Sequence, residues 1–323
     1  MDYPLSILDL AIVSSGTTMR DALDATVALA QLAETIGYTR VWYAEHHNMS
    51  AIASSATSVV IAHVAAHTKS IRLGSGGVML PNHSPLTIAE QFGTLAELHP
   101  DRIDLGLGRA PGTDIPTMRA LRRDPSAADT FPNDVLELQA FLGDCSTIPG
   151  VRAIPGAGTR VPLYILGSST FGAQLAAHLG LPYAFASHFA PAALQPAVAI
   201  YRKQFRASEQ LDRPHVIAAI SVIAADSEPE AQRQFEASSR ARVARFIGGE
   251  GPLSEPAIDA LVNSPQGQQV LQMMRYRAVG TPSTVREQLA DFRAHADADE
   301  LMIAMASPTI EARLRSAELI AST

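Results

Sequence analysis

Cysteine is nearly absent from this 323-residue chain, with Cys145 the only one. That excludes an internal disulfide framework and a cysteine-based zinc site. Cys145 sits in the polar stretch Gly143–Ser146 and reads as an ordinary thiol. Basic clusters are missing too. The formal charge is -7 and no block of Lys or Arg stands out, which argues against nucleic acid as a partner. The most apolar tract, Val216–Ala225, is interrupted by Ser221 and falls short of the roughly 20 residues that a membrane helix needs. The first ten residues, MDYPLSILDL, carry an acid where a secretory signal would be basic. The expected setting is cytoplasmic, without a membrane partner. Several catalytic signatures are also absent: no GxSxG, no GxxxxGK[ST] and no HExxH, which removes support from hydrolase and nucleotide-hydrolysing readings.

Hydrophobic residues make up 47% of the chain, so a large core is available. The stretch Ile71–Asp114 organises the rest. It reads as strand, glycine turn, helix (Leu86–Leu98), strand (Ile103–Leu107) and a second glycine turn. Two short strands joined by a helix imply a right-handed βαβ unit in a parallel sheet. The unit recurs on both sides, with strands at Leu5–Val13, Arg40–Ala44, Pro162–Leu166, Tyr183–Ala186, His215–Ala225 and Glu300–Met305. Eight strands alternating with about eight helices predict one (β/α)8 TIM barrel over residues 1–323. An open doubly wound sheet is the alternative, but Val13–Thr17 lacks the dinucleotide fingerprint expected after its first strand. Two segments break the pattern. Ala110–Pro132, with Pro111, Pro116, Pro125 and Pro132, predicts a long loop. Gly248–Val279, with Pro252, Pro256 and Pro265, predicts an irregular, lid-like excursion after helix seven. Thr281 and Pro282 have the chemistry of an N-cap and a first helical residue.

In a parallel α/β fold chemistry sits where strands end, and four groups fall there. Glu45, His46 and His47 follow strand two. Neighbouring side chains in an extended segment point to opposite sides, so both histidines do not readily meet one metal ion. His46 is left with a structural role or a polar active-site role, in which its imidazole donates to an oxygen or shuttles a proton. Gly76 and Gly77 allow either a bulge or the close packing of a flat ligand against the backbone. Arg109, ending an apolar strand, suits a rim salt bridge or an anionic group such as phosphate. Gly167, Ser168 and Ser169, between a strand and a helix, suit a plain cap or a phosphate at the helix N-terminus.

On these residues the chain resembles the bacterial luciferase-like monooxygenases, a family of flavin-dependent barrels. The matching segments are SILDLAIV, VWYAEHHNM, IRLGSGGVMLPNHSPLTIAEQF, ELHPDRIDLGLGRAPGTD, LYILGSSTFGAQLAAHLGLPYAFASHF, AVGTPSTVREQL and DELMI, in order along nearly the whole chain. AEHH and LGxGRxxG are the specific pieces. The resemblance implies that Glu45 and His46 face the flavin and substrate pocket as catalytic residues. It implies a non-proline cis peptide at Gly76–Gly77 against the flavin ring. Arg109 and the loop of Gly167, Ser168 and Ser169 would bind the flavin phosphate. The implied activity is that of a two-component monooxygenase: reduced FMN (FMNH2) arrives from a separate NAD(P)H:flavin reductase, O2 adds to give a C4a-peroxyflavin, and a small organic substrate is oxidised. Gly108 stands where luciferase proper can carry a cysteine, and light emission is not implied. Two alternatives remain open: an F420-dependent hydride-transfer enzyme, and a flavin-binding protein without turnover. The apolar second and third helices suggest a homodimer.

Overall fold

The computed structural model describes residues 2–14, 16–110, 113–249, 251 and 253–321; Pro111 and Pro252 lie outside the described residues. Strands and helices alternate as the hydrophobic pattern predicts. The first half of the chain runs β1 (Leu5–Asp9), α1 (Met19–Ile36), β2 (Arg40–Tyr43), α2 (Thr57–Ala66), β3 (Arg72–Met79), α3 (Pro85–Leu98), β4 (Ile103–Gly108), α4 (Ile115–Ala120) and α5 (Phe131–Leu142). There follow β5 (Leu163–Gly167), α6 (Thr170–Leu179), β6 (Tyr183–Phe185), α7 (Leu194–Gln204), β7 (Val216–Ala224) and α8 (Glu228–Ile247). The last part is α9 (Glu255–Asn263), α10 (Pro265–Gln272), β8 (Arg277–Gly280), α11 (Pro282–Ala296), β9 (Glu300–Met305) and α12 (Ile310–Ala321).

Parallel pairing runs β6-β5-β4-β3-β2-β1-β9-β7, and β7 pairs back onto β6 to close an eight-stranded (β/α)8 barrel. Side chains alternate across each strand. Ile7, Val41, Leu73, Leu105 and Ile165 face outward and pack under the helices. Leu8, Trp42, Tyr164, Ile217 and Met302 face inward and fill the barrel. Below them, near the strand N-termini, lies a buried ionic layer. Arg40 donates to Asp104 at 2.8 Å, to Glu300 at 2.9 Å and to the Tyr164 hydroxyl at 2.7 Å. This floor closes the end opposite the strand C-termini. No helix among the described residues is long and apolar enough to cross a membrane.

The helix boundaries show local chemistry at work. Thr18 and Asp21 form a reciprocal capping box on α1, and Gly37 ends that helix in the left-handed conformation at φ 88°. Three segments differ from the sequence reading. The segment 248–279 is not irregular: it holds α9, α10 and β8. Ser254 and Ser264 cap the two helices, accepting from the amides of Ala257 and Gly267, and Pro256 and Pro265 lie in their first turns. Proline at that position starts a helix rather than breaking one. Arg240 of α8 holds α9 through Glu255 and Asp259. β8 is a ninth strand: Ser221 pairs with Ala304 of β9 on one side and Arg277 of β8 on the other, so β8 extends the β6 edge of β7. The loop after β4 contains α4 and a 3-10 turn at Pro125–Asp129. Thr281 takes the N-cap position of α11, but its hydroxyl donates to Glu228 at 3.0 Å rather than capping the helix.

Candidate functional site

The loops that follow the strand C-termini gather the candidate residues at one rim. After β2 the chain turns back on itself: the His46 amide donates to the Ser54 carbonyl at 3.1 Å, and the Ser54 hydroxyl to the Ala44 carbonyl at 2.7 Å. Glu45 is buried, 1% exposed. Its carboxylate accepts from the Met79 amide at 3.0 Å, the Asn82 side chain at 3.1 Å, His83 Nε2 at 2.9 Å and His47 Nε2 at 2.8 Å. Burial pushes its pKa up, but the hydrogen bonds and charge of His83, together with His47 and Asn82, outweigh that and hold it below the ordinary carboxylate value.

His46 faces the other way. Its Nδ1 is buried and has no hydrogen-bond partner among the described residues. Burial holds the imidazole below its ordinary pKa despite the nearby Glu45 charge, so the ring is neutral near pH 7. The strand alternation that sends His47 to Glu45 is what leaves His46 free. Among the described residues no group of three His, Cys, Asp or Glu side chains could hold a metal ion.

β3 carries a cis peptide between Gly76 and Gly77, and its register against β4 slips between Gly76 and Val78. Side chains are excluded here by space. A Cβ on Gly77 would lie 2.6 Å from the Gly106 carbonyl oxygen, and one on Gly106 would run into the Ser75 carbonyl. The result is a patch of bare backbone where β3 meets β4.

Arg109 follows β4. It is exposed, and its guanidinium lies 4.3 Å over the ring of Phe171, in the first turn of α6. It forms no ion pair with a described residue. The stacking carries Arg109 to the turn of Gly167, Ser168 and Ser169, which leads from β5 into α6. Ser169 sits at the N-cap, yet its side chain makes no capping bond, and both serines are exposed. Thr113, beyond Arg109, has a buried Oγ1 without a hydrogen-bond partner among the described residues.

Three side chains at the rim were not singled out by sequence reasoning. His83 completes the clamp on Glu45. His188, after β6, has a buried Nδ1 with no partner, and Arg242 of α8 has a buried Nε in the same condition. The PNH and ASHF pieces that contain the histidines were visible; what the rings face was not.

Comparison with known proteins shows the family and the fold. The family model described as luciferase-like monooxygenase matches residues 5–299. A luciferase-like monooxygenase of Escherichia coli (strain K12) is 48% identical over 317 residues, covering 97% of this chain and 95% of the relative. The crystal structure of apo-MsnO8 superposes with a TM-score of 0.87 at 36% identity, covering 99% of this chain and 98% of the other. At 16% identity, where only the fold is shared, two further structures align. The oxygenating constituent of 3,6-diketocamphane monooxygenase from Pseudomonas putida, in complex with FMN, has a TM-score of 0.74 and covers 99% of this chain and 97% of its own. An F420-dependent secondary alcohol dehydrogenase in complex with an F420-acetone adduct has a TM-score of 0.70 and covers 99% of this chain and 98% of its own. On the family match and the near full-length identity to its relatives, the chain belongs to the luciferase-like monooxygenase family.

Proposed function

We propose that the protein is the oxygenase of a two-component system, taking reduced FMN from a separate NAD(P)H:flavin reductase and using O2 to oxidise a small organic substrate in the cytoplasm. Reduced FMN, when bound, supplies the two electrons that activate dioxygen, with one oxygen atom entering the substrate and the other leaving as water. The observation that carries the reading is Arg109, stacked at 4.3 Å on the first-turn residue Phe171. It sets a cation with no counter-ion among the described residues beside a serine turn whose cap hydroxyl is not spent on its own helix. A phosphate fits that set: a guanidinium, two hydroxyls and the free N–H groups of a helix N-terminus.

The remaining residues take complementary roles. The bare backbone at Gly76, Gly77 and Gly106 admits a flat ring system at close range. The neutral imidazole of His46, with Nδ1 uncommitted, holds or moves a proton at the substrate. Glu45 is a positioning residue, because its carboxylate is filled by four donors from the protein itself. A homodimer through α2 and α3 would cover Val59 and Leu98, which are 66% and 65% exposed.

Anaerobic titration with FMNH2 and, in parallel, with reduced F420 tests the proposal. FMNH2 should bind and F420 should not. Arg109→Ala should weaken FMNH2 binding roughly thirtyfold, the loss of about 2 kcal/mol of charge-assisted hydrogen bonding. His46→Ala should keep FMNH2 affinity and lose substrate oxidation; a storage protein would have no oxidation to lose. Binding of F420 alone would make the enzyme a hydride-transfer oxidoreductase instead.

A further inference from the structure

A second set of uncommitted polar groups adjoins the Arg109 turn, one strand further round the barrel mouth. β2 and β6 are four strands apart in the closed barrel, so His46 and His188 enter the mouth from opposite sides of the same rim. The loop carrying His188 is pinned: the Ala186 amide donates to the Gly167 carbonyl at 2.9 Å, and the Ser187 hydroxyl donates to the Ala219 carbonyl. The imidazole packs edge-on against Phe189 at 4.9 Å, and its Nδ1 is buried and unpaired. Arg242 enters from α8, the helix after β7, with its guanidinium 5.5 Å from the Phe246 ring centre. Its Nε is buried and unpaired, and no ion pair joins it to a described residue. Burial and the neighbouring Arg245 depress its pKa, and no carboxylate counters them. The charges of Arg242 and His46 both reach His188. A half-buried guanidinium without a counter-ion is costly to a fold, and a ligand anion removes that cost.

We propose that Arg242 and His188 bind a carboxylate carried by the substrate, which makes the substrate class small organic acids. The inference rests on the flavin reading only in calling this ligand the substrate. One guanidinium balances one negative charge, and its planar fork matches the two oxygens of a carboxylate. A phosphate dianion would remain half uncompensated here, because His188 is held neutral. The flavin phosphate has its own set of groups one strand away, at Arg109 and the serine turn.

The test is calorimetric titration of the apo and the FMN-loaded protein with straight-chain carboxylates from acetate to decanoate, each paired with its primary amide. The acids should bind about tenfold or more tightly than the matching amides somewhere in the series. Arg242→Gln should abolish that preference and leave FMN affinity unchanged; Arg242→Lys should keep part of it, and His188→Asn should reduce it. Equal binding of acid and amide through the whole series would overturn the proposal. So would an Arg242→Gln variant that keeps the preference, or one that loses FMN instead, since the guanidinium would then serve the cofactor. Failure of the flavin reading shows separately, as wild-type protein that binds no FMNH2, and the apo titrations still report on Arg242.

Discussion

The amide of Glu45 donates to the carbonyl of Gly77 at 3.1 Å, across the gap between the ends of β2 and β3. The Glu45 carboxylate reaches the same strand two residues later, at the Met79 amide. One residue thereby fixes where the two-glycine backbone lies relative to the turn that presents His46. The carboxylate does this by accepting from four groups, two of them imidazoles.

Glu45→Gln should therefore be costly although it changes little volume. An amide has one acceptor oxygen, and its NH2 would confront donors. Leaving a buried donor unpaired costs about 1–3 kcal/mol, seen as a lower urea midpoint with an unchanged slope. The wild-type pH dependence has a definite sign. The folded pKa of Glu45 is below its unfolded value, so its stabilisation is complete above the unfolded carboxylate pKa and is lost as pH falls through the depressed one. The Gln variant should lack that acid-side loss.

The glycine pair predicts an asymmetry. A Cβ on Gly76 would meet the side chains of Leu8 at 2.9 Å and Trp42 at 3.0 Å, and the Leu8 methyl can move. A Cβ on Gly77 would meet the Gly106 carbonyl oxygen at 2.6 Å, which belongs to a paired strand. Gly77→Ala should cost more than Gly76→Ala, by roughly 1–3 kcal/mol as overpacking goes. Thermal midpoints of the two variants compare them directly. Equal losses would mean that β4 yields at Gly106 as easily as a side chain does.

What was legible in the sequence follows the range of the interactions. The barrel could be read because strand and helix periods are local, and so could the rim residues, because strand ends are local. Strand alternation also sufficed to part His46 from His47. The partner of Glu45 was out of reach: His83 is 38 residues away and meets it only because the loops after β2 and β3 converge. Arg242 is one charge among many on a polar helix, and its burial depends on the packing of α8 beside β7 and β8. The prolines of 248–279 were read as breakers because a proline starts and stops helices alike; the serines at 254 and 264 decide which. β8 escaped notice because four residues beginning with an exposed arginine carry no apolar run.

His188 predicts a loss of stability in mild acid. Its pKa is pushed down to about 3, first by burial and then by the charges of Arg242 and His46. An unfolded histidine titrates near about 6.5. Between those values the unfolded chain binds a proton that the folded one refuses. Stability is thus complete above the unfolded value and falls with pH below it, by up to about 1.4 kcal/mol per pH unit for this one group. Urea unfolding between about pH 7 and pH 5, above most carboxylate titrations, reads the slope. His188→Asn should flatten it. An unchanged slope in that variant would mean that the folded loop opens to take the proton.

The floor of the barrel separates stability from function. Arg40 is nearly enclosed and is shared by Asp104, Glu300 and Tyr164, while Glu300 also accepts from Ser6 and from His215 at 3.2 Å. Arg40→Met leaves two buried carboxylates short of their cation, and breaking a buried pair in this way costs about 3–5 kcal/mol. The inward layer of Leu8, Trp42, Tyr164 and Met302 lies between this floor and the rim. FMN affinity, measured well below the unfolding transition, should accordingly stay near the wild-type value while the urea midpoint falls. A parallel loss of FMN affinity would show that the floor sets the position of the β2 and β4 ends, with Trp42 as the connection, since its indole N–H donates to Asp104 at 3.1 Å.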